Sequence, residues 1–116
     1  MNQLTNIYKI LSDETRLRIL MLLYNEDLCV CQLCGVLNTS QPKISKNLSK
    51  LRDMQLVQDE RREKFVYYSL SKDNKLLMAT LEQILENASQ YPKLREDLER
   101  LKDKEVYLKQ CFTLLE

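Results

Sequence analysis

Apolar residues recur at Leu4, Ile7, Tyr8 and Leu11, a spacing that predicts a first helix. Ser12 or Asp13 is placed to cap a second helix running to about Tyr24. That helix carries Leu17, Ile19, Leu20 and Met21 and is apolar over much of its surface, which marks it as the central core helix. Leu28 to Leu37 reads as a short third helix, broken by Asn38-Thr39-Ser40. A fourth helix starts at about Ser40, with Pro42 in its first turn and Ile44, Leu48 and Leu51 facing inward. Leu56-Val57-Gln58 and Phe65 to Leu70 read as two strands. Between them Asp59 to Lys64 is a charged tip without glycine, so the pattern predicts a loop longer than a two-residue turn. Helical spacing returns at Leu77, Leu81, Ile84 and Ala88, and Tyr91-Pro92 breaks the chain. A single last helix is expected from about Lys93, with Leu94, Leu98, Leu101, Leu108, Phe112 and Leu115 forming a coiled-coil-like seam that Glu105 interrupts. Such a stripe needs a partner. The expected organisation is a mainly α, winged helix-turn-helix domain over residues 1–90 and a C-terminal helix over 91–116.

Composition narrows the chemistry. The 116 residues contain no His, no Trp, one Gly (Gly35), two Pro and four Cys. Without histidine no Ser-His-Asp or Cys-His catalytic arrangement exists, and zinc sites that use imidazole are excluded. One glycine cannot build a Gly-rich phosphate loop. No catalytic residue is proposed, no catalytic cofactor is expected, and the chain does not read as an enzyme. No apolar run approaches the roughly 20 residues that span a bilayer, and the N-terminus has no signal-peptide pattern. The expectation is therefore a cytoplasmic protein with no membrane partner. Cysteines in that compartment point to metal binding or redox sensing rather than structural disulfides.

The formal net charge of +1 conceals a polarised chain. Lys43, Lys46, Lys50 and Arg52 give the fourth helix +4 with no acid between them. From Lys43 to Lys64 seven cations face four acids, and the rest of the chain is net −2. Helices, then a cationic helix, then a hairpin is the order of a winged helix-turn-helix. Thr39, Ser40 and Gln41 stand at the entry of the fourth helix, where side chains and amides meet phosphates or base edges. Lys43, Ser45, Lys46, Asn47 and Lys50 lie along its outward face. Gln41 and Asn47 are residue types that pair with adenine. Arg61, Arg62 and Lys64 at the hairpin tip can reach flanking phosphates. Double-stranded operator DNA is the expected partner, a solvated charged face the bland alternative.

Cys29, Cys31 and Cys34 form a C-x-C-x-x-C cluster, with Cys111 far away in sequence. On a regular helix Cys31 and Cys34 share a face, while Cys29 and Cys31 lie about 200° apart. All three can meet one ion only if Cys29 precedes the helix or the first turn is distorted. A helix N-terminus favours thiolate over thiol. Three thiolates without imidazole make a soft, trigonal site, and zinc would lack its fourth ligand. Other readings stand beside it. Two of these thiols could form a disulfide or polysulfide bridge, Cys31-Gln32-Leu33-Cys34 is formally the motif of a thiol-disulfide enzyme, and the chain could be a protein-interaction module. For Cys111 a packing role outweighs ligation.

Four stretches carry a family resemblance: Leu11-Ser12-Asp13-Glu14-Thr15-Arg16-Leu17-Arg18-Ile19-Leu20, Asp27 to Cys34, Ser40-Gln41-Pro42-Lys43-Ile44-Ser45-Lys46-Asn47-Leu48, and Phe65 to Leu70. On them the chain resembles the arsenic repressor (ArsR/SmtB) family of metal-responsive winged-helix repressors. The resemblance implies a homodimer that occupies operator DNA when ligand-free and leaves it on binding an effector. It implies that Cys29, Cys31 and Cys34 take arsenite or antimonite, As(III) or Sb(III), as regulatory ligand. It also implies that the first and last helices form the dimer interface, which would place Leu4, Ile7, Tyr8, Leu94, Leu98, Leu101, Leu108 and Phe112 there. A thiol redox or polysulfide-sensing repressor of the same fold is the alternative.

Overall fold

The computed structural model describes residues 2–115, with side chains from 4 to 110. The first two helices are α1 (Asn2–Leu11) and α2 (Glu14–Asn25). Asp13 caps α2, its carboxylate accepting the Arg16 N–H at 3.0 Å. Residues 19 to 23 are all buried, so α2 is enclosed on every side and the other helices pack around it. From α1, Ile7 and Ile10 join the same core.

Leu28 is not the start of the third helix. Leu28–Cys29 is a short strand, β1, and α3 runs Val30–Leu37. β1 pairs antiparallel with β3 (Phe65–Leu70), Leu28 opposite Tyr68 and Cys29 opposite Tyr67. Helical spacing could not reveal this, because a two-residue strand is defined by its partner and not by its own pattern. The wing also differs from expectation. β2 (Val57–Arg62) pairs with β3 up to Arg62 opposite Phe65, leaving a two-residue turn at Glu63 and Lys64. Glu63 takes φ 58°, supplying the left-handed position that a tight hairpin requires and that glycine usually fills. The sheet order is β1-β3-β2.

Between α3 and the wing lies α4 (Gln41–Asp53), seated on the core through Ile44, Leu48 and Leu51. Ser40 is its N-cap position, without a side-chain capping bond. After the wing come α5 (Lys75–Glu86), capped by Asn74, and a 3-10 turn at Ala88–Gln90. The expected single last helix is broken. α6 (Pro92–Arg100) gives way to a 3-10 turn at Leu101–Asp103, and α7 (Lys104–Leu115) follows. α7 packs against α3, while α6 lies against α2. Part of the leucine series faces the chain's own core. Leu94 belongs to the chain's own core, and Leu101 packs against it. Among the described residues no helix is long and apolar enough to cross a membrane.

Candidate functional site

The outward face of α4 is open. Gln41, Lys43, Lys46, Ser49, Lys50 and Arg52 are exposed, and Ser45 and Asn47 half-buried. Lys43, Lys46 and Lys50 take part in none of the ion pairs among the described residues. Local bonds order the polar residues: Gln41 Nε2 donates to Ser45 Oγ at 2.8 Å, and Asn47 Nδ2 to the Lys43 carbonyl at 2.9 Å. Thr39 turns its hydroxyl back to the Leu37 carbonyl at 3.0 Å. Arg16 of α2 borders the same groove as Lys43, Lys46 and Asn47 and adds a cation that the sequence reading did not include.

The wing cations differ from one another. Arg62 is tied to Asp27 at 2.9 Å and stacks on Tyr67 with 5.0 Å to the ring centroid. Its pKa is raised, first by the Asp27 hydrogen bond. Arg61 bonds the Glu63 carbonyl at 3.4 Å. Arg52 pairs with Asp59 at 3.1 Å, joining α4 to β2.

The cysteines lie just upstream of this face. Cys29 precedes α3 in extended conformation, φ −90° and ψ 171°, one of the two conditions that let it face the same ion as Cys31 and Cys34. Its N–H donates to Gln32 Oε1 at 3.1 Å. Cys29 and Cys34 are free thiols. Cys31 is disulfide-bonded, so a three-thiolate set exists only after reduction. Among the described residues no three His, Cys, Asp or Glu side chains already stand as a metal-ready group. The donors present suit a thiophilic ion, but the site would have to close around it. The expected thiolate character is overridden: burial pushes the Cys29 thiol up, outweighing the amides of Gln32 and Cys31. Cys34 is raised by burial first and then by the nearby Cys29. Tyr67, across the β1–β3 pair, is also raised, by burial first and then Cys29.

Several side chains that sequence reasoning missed hold α3 in place. Asn38 in left-handed conformation (φ 51°) ends it, with Thr39 N–H donating to the Cys34 carbonyl at 3.1 Å and Asn38 N–H to Gly35 at 3.3 Å. Arg100 donates to the carbonyls of Gly35 and Val36 at 2.6 and 2.7 Å. Arg18 donates to Leu37 at 3.2 Å and grips both Asp97 oxygens at 2.8 Å. All four terminal carbonyls of α3 are thus satisfied, that of Val36 only by an arginine and that of Leu37 by Arg18 together with the Thr39 hydroxyl. The available signal was Arg18 inside an apolar run.

A family model for "Bacterial regulatory protein, arsR family" matches residues 13–59, from the α2 cap to the first half of β2. The "Arsenic resistance transcriptional regulator ArsR2" of Pseudomonas putida is 41% identical over 83 residues, 66% of this chain and 72% of the relative. The chain belongs to the arsR family of bacterial regulatory proteins. The "Arsenical resistance operon repressor" of Escherichia coli is 52% identical over 66 residues, 56% of each chain, so the match spans little more than half of that relative. Among solved structures, the antimony-specific transcriptional repressor AntR superposes with a TM-score of 0.64 at 25% identity, covering 77% of this chain and 82% of that one. The resemblance to the arsR family and the winged-helix architecture are thereby borne out.

The residues expected at a dimer interface are divided. Leu4 and Tyr8 are exposed, at 40% and 55%, whereas Ile7 and Leu94 are buried in their own chain. Leu98, Leu101 and Leu108 are half-buried. The side chains of Cys111, Phe112 and Leu115 lie outside the described residues.

Proposed function

We propose that the chain is a DNA-binding transcriptional repressor, active as a homodimer, which leaves its operator when arsenite or antimonite binds Cys29, Cys31 and Cys34. The observation that carries this reading is adjacency: a helix bearing two of the cysteines, with the third at its N-cap, ends three residues before an exposed helix face on which Lys43, Lys46 and Lys50 take part in no ion pair among the described residues. Thr39, Ser40, Gln41, Lys43, Ser45, Lys46, Asn47 and Lys50 would meet the major groove, and Arg61 and Lys64 the flanking phosphates. Arg62 would join them only after leaving Asp27. Leu4 and Tyr8 are the exposed part of the partner-facing surface, and residues 91–116 would complete it. The named activities of the arsenic and antimony regulators above agree with this assignment.

Arsenous acid would join the three reduced thiols as As(OH)3 + 3 RSH giving As(SR)3 + 3 H2O, with each thiol proton leaving in water and no change of oxidation state. Closing the site draws Cys29 toward α3 and shifts α4. A coupling of about 1–3 kcal/mol changes operator affinity roughly 5- to 150-fold.

Fluorescence anisotropy with duplexes selected from a random pool tests the reading. Binding should weaken steeply with salt and be reversed by arsenite in the reduced protein. The Cys29→Ser/Cys31→Ser/Cys34→Ser variant should bind DNA and ignore arsenite. No binding at low salt sinks the repressor reading, and arsenite release from the triple variant sinks the site. The disulfide at Cys31 favours a second reading, a redox-sensing repressor. In that case oxidant alone, without arsenite, releases the DNA.

A further inference from the structure

The only glycine of the chain lies inside α3, where it weakens the helix relative to alanine. It serves no left-handed turn, for those positions are filled by Asn38, Gln55 and Glu63. What it provides is room. A Cβ at Gly35 would collide with Cγ and Cδ1 of the Tyr107 ring. The ring of α7 therefore rests on the backbone of the cysteine helix. Gly35 and Cys31 are four residues apart and share a helix face. Around the ring, Arg100 lies 5.7 Å from its centroid while binding Gly35 and Val36, and Lys104 pairs with Glu26 at 2.7 Å.

We propose that α6 and α7 form a strap across the cysteine helix, seated by Tyr107 on Gly35 and clasped by Arg100, which must lift before a ligand can reach the thiols. The strap rests on the repressor reading for its biological purpose, but its mechanics do not depend on it. With the strap seated, α3 is held through its terminal carbonyls and the link to α4 is fixed. With the strap lifted, α3 loses both the ring and the guanidinium and becomes free to close around an ion. Ligand binding and strap docking then oppose each other, and each weakens the other by the same factor.

Two readouts test it without DNA or arsenite, so failure here is distinct from failure of the repressor reading. Gly35→Ala should lower the urea midpoint in the wild-type background, because its methyl meets Tyr107. It should raise the midpoint in a Tyr107→Ala background, where only alanine's helix propensity remains. In the reduced full-length protein, maleimide labelling of Cys29 and Cys34, resolved by fragment mass, should quicken about tenfold in Tyr107→Ala and in Arg100→Gln. Stabilisation by Gly35→Ala in both backgrounds, or unchanged labelling in both variants with native circular dichroism, overturns the strap. If Gly35→Ala does not fold, the two labelling variants decide alone. In the anisotropy assay the same two variants should need about tenfold less arsenite for half-release. An unchanged requirement removes the regulatory role.

Discussion

α3 and α4 are neighbouring helices that each seat three aliphatic side chains in the core, Leu33, Val36 and Leu37 from α3 and Ile44, Leu48 and Leu51 from α4, and they differ in what else holds them. α4 keeps its polar face bare. α3 has eight residues, too few for a helix to persist alone, and is held in addition by groups from far along the chain. Arg18, Asp97, Arg100 and Tyr107 all lie outside it, and the last three come from the C-terminal arm. A helix that reads DNA gains from rigidity and an open face. A helix that senses a ligand gains from being held by contacts that can be released. Changes on α4 should therefore alter binding at constant stability, and changes around α3 should alter stability first.

The largest effect that would break this contrast lies at Asp97, whose side chain is 3% exposed against Arg18 at 10%. Asp97→Ala leaves the buried Arg18 with only the Leu37 carbonyl and the exposed Glu14, 3.9 Å away, and should cost about 3–5 kcal/mol in urea unfolding. Arg18→Met/Asp97→Leu, which removes both charges, should cost clearly less. A loss from Asp97→Ala of only a surface size, about 0.5 kcal/mol, would show that the arm does not hold α3.

On the α4 side, Gln41→Ala or Asn47→Ala should lose about 1–3 kcal/mol of discrimination if either reads a base. Lys46→Ala should weaken all sequences alike and flatten the slope of log affinity against log salt by about 0.9. Stability should stay within about 0.5 kcal/mol of the parent, read in the same urea titration. If Lys46→Ala instead unfolds the protein, the division between the two helices is wrong.

At the hinge between them, Asn38→Ala should cost about 1 kcal/mol, because alanine resists the left-handed conformation, whereas Asn38→Gly should be nearly neutral. Equal effects from the two substitutions would move the constraint from backbone to side chain.

This difference also explains what was legible in the sequence. α4 was legible because its chemistry is local: Ile44, Leu48 and Leu51 set one face and the lysines the other. The α2 cap at Asp13 was legible for the same reason. The short β1 and the arm over α3 depend on residues distant in sequence, and the tight turn depends on a residue other than glycine, Glu63, taking a left-handed φ. A leucine series cannot say whether it faces another chain or its own core, and Leu94 faces its own. The glycine count came closest to a signal, since one glycine placed inside a helix calls for a close neighbour.

The smallest expected effect is on pH dependence, and it belongs to α3 alone. The folded thiols of Cys29 and Cys34 are held above the ordinary value of 9.0, chiefly by burial. In the unfolded chain they ionise at that ordinary value, so above it the unfolded state has released protons that the folded state retains. Stability is therefore fully present below about pH 9 and falls as pH rises toward the folded values. Tyr67 adds a fall of the same sign above its ordinary value of 10.0. Urea midpoints of the reduced protein at rising pH should trace the decline, and Cys34→Ala should make it shallower. Lys46→Ala should leave the decline unchanged, because α4 buries no ionising group. An equal change of slope in both variants would mean that the alkaline loss belongs to the whole surface, and the distinction between a held helix and an open one would lose its electrostatic half.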